Sequence, residues 1–280
     1  MKTGFIGAGA MTQAMLVGAL KKQALKCDDV WVTNKHNKTK LAALSTKHHI
    51  HTTYDLSKFM ENIDLLIFSV KPKDAFDSIQ AIKPYLCKDV LIISLMAGIS
   101  TRLMEEMIGM EIAISRAMPN TSAAICKSAT AFTFNPYTNE KQKQIAYSLF
   151  QSIGTVTEIP EEQLDLVTAL SGSGPAYFYY LIEQMQLAAG KLGMDQRTAK
   201  LLIQQTLIGA GEMLITSPKG ASALREDVTS SGGTTEAGLQ VLQQCHVDKA
   251  LYQCIETATL KAASLRKNVQ QTITTQIKNA

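Results

Sequence analysis

The sequence lacks the features that mark several large classes of protein. No run approaches the roughly 20 consecutive apolar residues that a membrane-spanning helix needs, and the glycine-interrupted N-terminus lacks the pattern of a secretory signal. The net charge of +4 is spread along the chain, without a basic stripe interleaved with aromatic residues, which disfavours a nucleic-acid binder. A cytoplasmic protein without nucleic-acid or membrane partners is therefore expected, acting on a small-molecule substrate.

Paired cysteines are also missing. The five cysteines are widely scattered, and none forms a Cys-x-x-Cys or Cys/His pattern with metal spacing. This pattern indicates free thiols in a reducing compartment and predicts no metal. The chain instead has 280 residues, 46% of them hydrophobic, which suffices for two domains with a sizeable core.

The first half of the chain alternates strands and helices around a glycine turn. A β-prone run at residues 3–6 meets Gly7-Ala8-Gly9, and a helical pattern follows. Gly7 permits a sharp turn, and Gly9 lets the backbone approach a pyrophosphate at the positive end of the helix. Thr12 stands where the usual pattern has a third glycine. An ordinary strand–helix turn is therefore the alternative interpretation.

The end of the second strand, within residues 29–37, predicts the cofactor. Many NAD-binding sites have a carboxylate here that accepts a hydrogen bond from the ribose 2′-hydroxyl, whereas this chain has Thr33, Asn34 and Lys35. A hydroxyl, an amide and a cation suit a 2′-phosphate. NADPH is therefore favoured, with NADH as the second possibility. The alternative is that Lys35 and Lys38 only solvate the start of a helix.

Three further apolar runs, at residues 63–72, 89–100 and 112–123, end in small polar or glycine-containing loops. Such runs are typical of strands buried on both faces of a parallel sheet, and ligands bind at the carboxyl ends of these strands. A catalytic role for the lysine at the end of the first run is disfavoured. The predicted cofactor-binding residues are Gly7, Gly9, Ala10, Met11, Thr33, Asn34, Lys35, Val70, Lys71, Pro72, Ala97, Gly98 and Asn120.

Long helices follow the strands. The segment 175–194 begins with Pro175 and is apolar around its circumference, which indicates burial in a core or an interface. Asp195 is a good N-cap for the next helix. Because these helices are too apolar for a bundle of this size that stands alone, the sequence predicts a homodimer, with a larger homo-oligomer as a further possibility. The tail at 268–280 has little core-forming content and is expected to be frayed.

The expected fold is therefore α/β with two domains. Residues 1–160 are predicted to form a Rossmann-type parallel-sheet domain that binds NADP. Residues 161–280 are predicted to form an all-α helical domain for dimerisation and substrate binding. No internal repeats or low-complexity segments interrupt this organisation.

Six motifs carry a resemblance to the pyrroline-5-carboxylate reductase family. In chain order they are GFIGAGAM (4–11), FSVKP (68–72), MAGIS (96–100), MPNT (118–121), LSGSGPAY (170–177) and DVTSSGGTT (227–235). The resemblance extends to about residue 268. It implies NAD(P)H-dependent reduction of the C=N bond of Δ1-pyrroline-5-carboxylate to L-proline, the last step of proline biosynthesis.

Residues 229–235, the hydroxyl–glycine loop, contain only glycine and hydroxyl side chains. Such a loop can form a nest of backbone N–H groups that binds an anion. Carried over from the family, Ser230, Gly232, Gly233 and Thr234 would bind the substrate carboxylate, and Thr235 would be the catalytic residue near the imine nitrogen. Because a hydroxyl is a poor acid, Thr235 is expected mainly to position an imine that arrives protonated. The alternative is that Thr and Ser only cap the following helix.

Several alternatives stay open. Ser171, Ser173 and Pro175 make a normal helix start, although the glycines between them also suggest a close approach to a cofactor or a partner helix. Ser231 replaces a proline common in the family, which would loosen the loop without removing its hydroxyls. A β-hydroxyacid dehydrogenase would need a lysine near the domain junction, and residues 163–190 contain none. Imine reductases for other substrates and a non-catalytic NADP sensor are the remaining rivals.

Overall fold

The computed structural model describes residues 1–278. The chain divides into two compact units, one formed by residues 1–173 with residues 257–278, the other by residues 174–256. This division by compactness does not decide where the functional domains meet. The predicted boundary after residue 160 therefore stays a prediction.

The first unit is built on an eight-stranded sheet in the order β3-β2-β1-β4-β5-β6-β7-β8. The strands are β1 Thr3–Ile6, β2 Val30–Thr33, β3 His51–Thr52, β4 Leu65–Phe68, β5 Leu91–Ser94, β6 Ile114–Met118, β7 Ser128–Phe134 and β8 Gly154–Glu158. Only β6 and β7 pair antiparallel. The order of the first six strands is that of doubly wound dinucleotide-binding folds. The predicted α/β fold with a Rossmann-type sheet is confirmed.

Twelve α-helices occur within residues 1–278. Those of the first unit are α1 Ala10–Lys21, α2 Lys38–His48, α3 Leu56–Met60, α4 Ala75–Ile82, α5 Thr101–Ile108, α6 Glu140–Ile153 and α7 Leu164–Val167. They are followed by α8 Gly174–Lys191, α9 Gln196–Thr216, α10 Ala221–Asp227, α11 Thr234–Gln244 and the long α12 Val247–Lys278. Asp195 caps α9 as predicted, since its carboxylate accepts the Thr198 N–H at 3.0 Å.

Strand side chains alternate between two hydrophobic clusters on opposite faces of the sheet. Phe5, Leu65 and Ile67 belong to the cluster that includes α1, α2 and α6. Ile6 and Leu66 belong to the opposite cluster, which includes α3, α4, α5 and the end of α12. Because both faces are covered, the central strands β1, β2, β4 and β5 are mostly apolar along their length.

The prediction of a frayed tail is wrong for the described residues. Residues 268–278 continue α12, and Ile273 is only 3% exposed within the second hydrophobic cluster. Val269 and Ile277 pack beside it at a spacing of four residues, which places all three on one helix face. The sequence pattern did not indicate this apolar face, because threonine and glutamine residues make up most of the segment. Asn279 and Ala280 lie outside the described residues.

The second unit leaves much of its apolar surface uncovered. Among the residues of α8 only Gly174 is buried, while Tyr179 is 67% exposed and Ile215 of α9 is 79% exposed. The apolar circumference of α8 therefore does not reflect burial within the described part of this chain. Exposed apolar surface of this kind is typical of an interface, as the sequence predicts. No helix within residues 1–278 combines the length and apolar character needed to cross a membrane.

Candidate functional site

The turn between β1 and α1 has the geometry of a dinucleotide cradle. Gly7 has φ +107°, and a Cβ atom there would lie 2.5 Å from the carbonyl oxygen of Ser69, so only glycine fits. Gly9 is the N-cap of α1 and has no side chain to cap the helix, which begins with Ala10 and Met11. The amides at this helix start are therefore available to an anion. These residues fit a dinucleotide pyrophosphate.

Thr12 does not weaken this turn, although it replaces a glycine of the usual pattern. Its buried hydroxyl donates to the Gly7 carbonyl oxygen at 2.8 Å and so ties the helix to the turn. The close backbone approach occurs instead at Gly18, where a Cβ atom would overlap the carbonyl oxygen of Ala123. The glycine that allows α1 to pack closely is therefore six residues further along the chain than the pattern suggests.

A cleft of about 340 Å³ opens beside the carboxyl ends of β1, β2 and β4. We call it the β2 cleft. Its lining includes four of the predicted cofactor residues: Thr33, Asn34, Lys35 and Val70. The Asn34 side chain is already engaged, because its oxygen accepts from the Asn37 N–H at 2.8 Å and from the Tyr54 hydroxyl at 3.1 Å. Asn34 therefore shapes the loop as well as facing the cleft.

The β2 cleft also contains two carboxylates that no local sequence pattern predicts. The Lys35 Nζ atom lies 3.4 Å from Asp77 Oδ2 and 3.9 Å from Asp74 Oδ1. No acid directly follows β2, as predicted, but these two carboxylates reach the same cleft from another element. Asp74 precedes α4 and Asp77 lies in its first turn. Only the packing of α4 beside β2 brings these distant parts of the sequence together.

A second cleft, of about 520 Å³, lies in the same unit, and we call it the α12 cleft. Its lining includes the predicted residues Lys71, Pro72, Ala97 and Gly98, together with Ser173 and Lys261. Gly98 has φ +75°, and a Cβ atom there would lie 3.0 Å from the Cα atom of Arg266. The loop after β5 therefore passes close to the backbone of α12. The tight contact explains this glycine without reference to a cofactor.

A buried ion network borders the α12 cleft and was not anticipated from the sequence. Arg116 of β6 is 2% exposed, and its Nη1 donates to Glu161 Oε1 at 3.2 Å. Asp165, which lines the cleft, lies 3.7 Å from Arg116 Nη2 and accepts from Arg266 Nε at 2.8 Å. A charged residue inside an apolar strand was the available signal, because such a residue needs partners when buried.

Asn120 connects the end of β6 with the segment that precedes α8. Its side-chain amide is buried and donates to the Ser171 carbonyl oxygen at 3.0 Å. That carbonyl belongs to a π-helical turn at Thr168–Gly172, a conformation often found at functional sites. A Cβ atom at Gly172 would make only an ordinary contact at 3.6 Å. A close approach of Gly172 to a cofactor or a partner helix therefore stays a prediction.

The hydroxyl–glycine loop joins α10 to α11 in the second unit. Gly232 has φ +72°, and a Cβ atom at Gly233 would lie 2.5 Å from Ser230 Oγ, so both glycines suit the tight loop. Gly233 is the N-cap of α11, and Thr234 and Thr235 are its first helical residues. The alternative that a threonine or serine caps this helix is therefore wrong.

One amide of this loop already binds a carboxylate. The Gly232 N–H donates to Glu236 Oε2 at 2.7 Å. A glutamate in the first helical turn commonly reaches back to an amide at the helix start. The contact demonstrates that the Gly232 N–H points to a position where a carboxylate oxygen can sit.

Thr235 lies beside an apolar cleft of about 440 Å³ within the second unit. The lining includes Leu214, Leu224 and Val228, and Arg225 contributes a cation. A hydroxyl next to such a surface suits a small ring with one polar position.

Among residues 1–278, no group of histidine, cysteine, aspartate and glutamate side chains could hold a metal ion.

Comparison with known families covers both parts of the chain. Residues 161–265 match the family model described as pyrroline-5-carboxylate reductase dimerisation. Residues 2–98 match a model described as NADP oxidoreductase, coenzyme F420-dependent. The second match agrees with the predicted enzyme class and with the predicted nicotinamide cofactor.

Individual relatives match over nearly the whole chain. Pyrroline-5-carboxylate reductase 2 of Bacillus subtilis is 42% identical, over 95% of this chain and 95% of its own. A solved pyrroline-5-carboxylate reductase from Coxiella burnetii is 34% identical with a TM-score of 0.86, covering 94% of this chain and 98% of its own. The Plasmodium falciparum pyrroline carboxylate reductase, solved with NADP bound, is 29% identical with a TM-score of 0.86, covering 95% and 98%.

These matches confirm the resemblance that the six motifs indicated, including the predicted reductase function. The Bacillus subtilis and Coxiella burnetii relatives are both more than one third identical to this chain over nearly the full length of both chains, and the solved structure has the same fold. The chain belongs to the pyrroline-5-carboxylate reductase family.

Proposed function

We propose that this protein reduces the C=N bond of Δ1-pyrroline-5-carboxylate to give L-proline, with NADPH as the favoured cofactor and NADH as the second. Family membership supports the reaction. The observation that carries the substrate assignment is the hydrogen bond from the Gly232 N–H to the Glu236 carboxylate at 2.7 Å. The substrate carboxylate would take the place of the Glu236 carboxylate at this amide, since two carboxylates so close together repel each other.

In this proposal the first unit holds the cofactor. The amides around Gly7, Gly9, Ala10 and Met11 bind the pyrophosphate at the start of α1. Thr33, Asn34 and Lys35 contact the adenosine ribose, and Val70, Lys71, Pro72, Ala97, Gly98 and Asn120 make the remaining contacts. When bound, the cofactor supplies the hydride that the imine carbon accepts.

The hydroxyl–glycine loop holds the substrate. Ser230, Gly232, Gly233 and Thr234 bind its carboxylate, and the Thr235 hydroxyl oxygen accepts a hydrogen bond from the N–H of the protonated imine. An unassisted hydroxyl is too weak an acid to protonate the imine efficiently. The role of Thr235 is therefore to orient an imine that is already protonated, so that the ring stays in place during hydride transfer.

The direct test follows nicotinamide absorbance with Δ1-pyrroline-5-carboxylate and either NADPH or NADH, with product analysis for proline. The controls are 3-hydroxyacids with NADP⁺. Oxidation of NADPH with proline as product is expected. Reduction of NADP⁺ by a hydroxyacid, without turnover of the imine, would refute the proposal.

Thr235→Val tests the catalytic assignment. We expect kcat to fall on the order of 10- to 100-fold, with little change in NADPH affinity, because the hydrogen bond that orients the imine is lost. Thr235→Ser keeps the hydroxyl and should retain most of the activity. Thr234→Val removes the neighbouring hydroxyl and should instead raise KM. An unchanged kcat in Thr235→Val would contradict the positioning role.

We further propose that the chain forms a homodimer through its second unit, with a larger homo-oligomer as a possible assembly. The exposed apolar side chains of α8 and α9 support this proposal, as does the match of residues 161–265 to a dimerisation model. Light scattering after gel filtration should give at least twice the chain mass of 30.5 kDa. A monomer at micromolar concentration would contradict it.

We also propose a cytoplasmic location. All five cysteines are free thiols, which supports a reducing compartment.

A further inference from the structure

The charges of the β2 cleft are the starting point. Its charged lining residues are one lysine, Lys35, and two aspartates, Asp74 and Asp77, so its net formal charge is −1. The cleft lies at the end of β2, where a Rossmann fold discriminates between a ribose 2′-hydroxyl and a 2′-phosphate. A cleft with a net negative charge is unfavourable for a phosphate dianion and favourable for a hydroxyl donor.

We propose that Asp77, assisted by Asp74, limits the preference of this protein for NADPH over NADH. The two carboxylates bind the ammonium of Lys35 and repel a 2′-phosphate. They also provide acceptors for a ribose 2′-hydroxyl, which replaces the acid absent from the end of β2. This inference rests on the cofactor part of the proposed function and identifies the residues that determine its specificity.

The distances support an electrostatic effect of moderate size. The Lys35–Asp77 and Lys35–Asp74 contacts of 3.4 and 3.9 Å are loose ion pairs, and the side chains of Lys35 and Asp77 are more than half exposed. Such pairs contribute little to stability, so replacing Asp77 should leave the fold intact. A charge about 5 Å from a phosphate still changes binding several-fold in water, and salt weakens the effect.

The test compares dissociation constants of NADP⁺ and NAD⁺ by calorimetry on the full-length protein. Asp77→Asn is expected to strengthen NADP⁺ binding about 5- to 10-fold at low salt, with NAD⁺ binding unchanged or weaker. Asp74→Asn should shift the ratio in the same direction, and Lys35→Gln should weaken NADP⁺ binding by a similar factor. Asp89→Asn, an exposed aspartate outside the cleft, is the matched control.

The gain in NADP⁺ affinity of Asp77→Asn should become smaller as the salt concentration rises from about 20 to about 300 mM, because salt screens the interaction between exposed charges. Equal changes in NADP⁺ and NAD⁺ binding, or no change, would overturn the inference. Cofactor binding is measured without the imine, so the two proposals fail separately. Normal cofactor binding without reduction of pyrroline carboxylate refutes the activity, whereas turnover with an unaltered NADP⁺/NAD⁺ ratio in Asp77→Asn refutes the role of Asp77.

Discussion

Gly18 offers the sharpest test of how the cofactor turn is supported. The residue lies buried in the middle of α1, whose first amides are proposed to bind the pyrophosphate. A Cβ atom at this position would overlap the carbonyl oxygen of Ala123 and lie 3.0 Å from the Cγ2 atom of Ile153. Gly18→Ala therefore requires α1 to move away from the backbone it packs against.

Two opposing effects determine the magnitude. Alanine in place of glycine favours a helix by about 1 kcal/mol, whereas overpacking costs about 1–3 kcal/mol and more when the obstacle is backbone. Since the principal obstacle here is a carbonyl group, the cost lies at the upper end of that range. We expect Gly18→Ala to lower the free energy of unfolding by about 2 kcal/mol and to weaken NADP⁺ binding.

Urea unfolding measures this change, at fixed protein concentration because the protein is proposed to be oligomeric. Trp31 is the only tryptophan and lies in β2, so its fluorescence reports on the first unit. Circular dichroism follows the helices. Gly238→Ala in α11 is the control, because a Cβ atom there would contact nothing within 4 Å of this chain and the residue lies outside the helices proposed as the interface; it should be neutral or stabilising. An unfolding midpoint of Gly18→Ala at or above that of the wild type would refute the reasoning.

Two further predictions concern Arg116 and Tyr147. Arg116→Met should lower the free energy of unfolding by about 3 kcal/mol, because two carboxylates would lose a buried counterion. Adding Asp165→Asn to this variant should recover part of the loss. If urea unfolding shows that the effects of the two substitutions simply add, the proposed coupling between Arg116 and Asp165 is contradicted. The hydrogen bond to Glu158 raises the pKa of Tyr147 to about 12 from 10.0. The resulting stabilisation is complete below pH 10 and is lost as the pH rises through 12. Tyr147→Phe should therefore flatten the decline of stability in this range, and an unchanged pH profile would argue against this hydrogen bond.

Part of the fold was predictable because its cause is local. The strands β1, β2, β4 and β5 are covered on both faces and are mostly apolar, and β6 is flanked by apolar residues although it contains Ser115 and Arg116. The strands β3, β7 and β8 were missed. β3 has only two residues, and β8 is largely exposed and polar, so neither has a distinctive pattern. β7 is interrupted by serine and threonine, so its composition does not indicate a strand. Its strand conformation depends on hydrogen bonding to β6 and β8.

The sequence by itself determined the family, the glycine turn and the composition of the hydroxyl–glycine loop. These features depend on which residue types occur within a few positions, such as the absence of a Cβ atom at Gly7. The tertiary structure alone decided the partners of charged groups. Asp77 reaches Lys35, and Arg266 reaches Asp165, across 42 and 101 positions of the chain. Electrostatic forces act through space, so the charge of a site depends on the residues that the fold brings together.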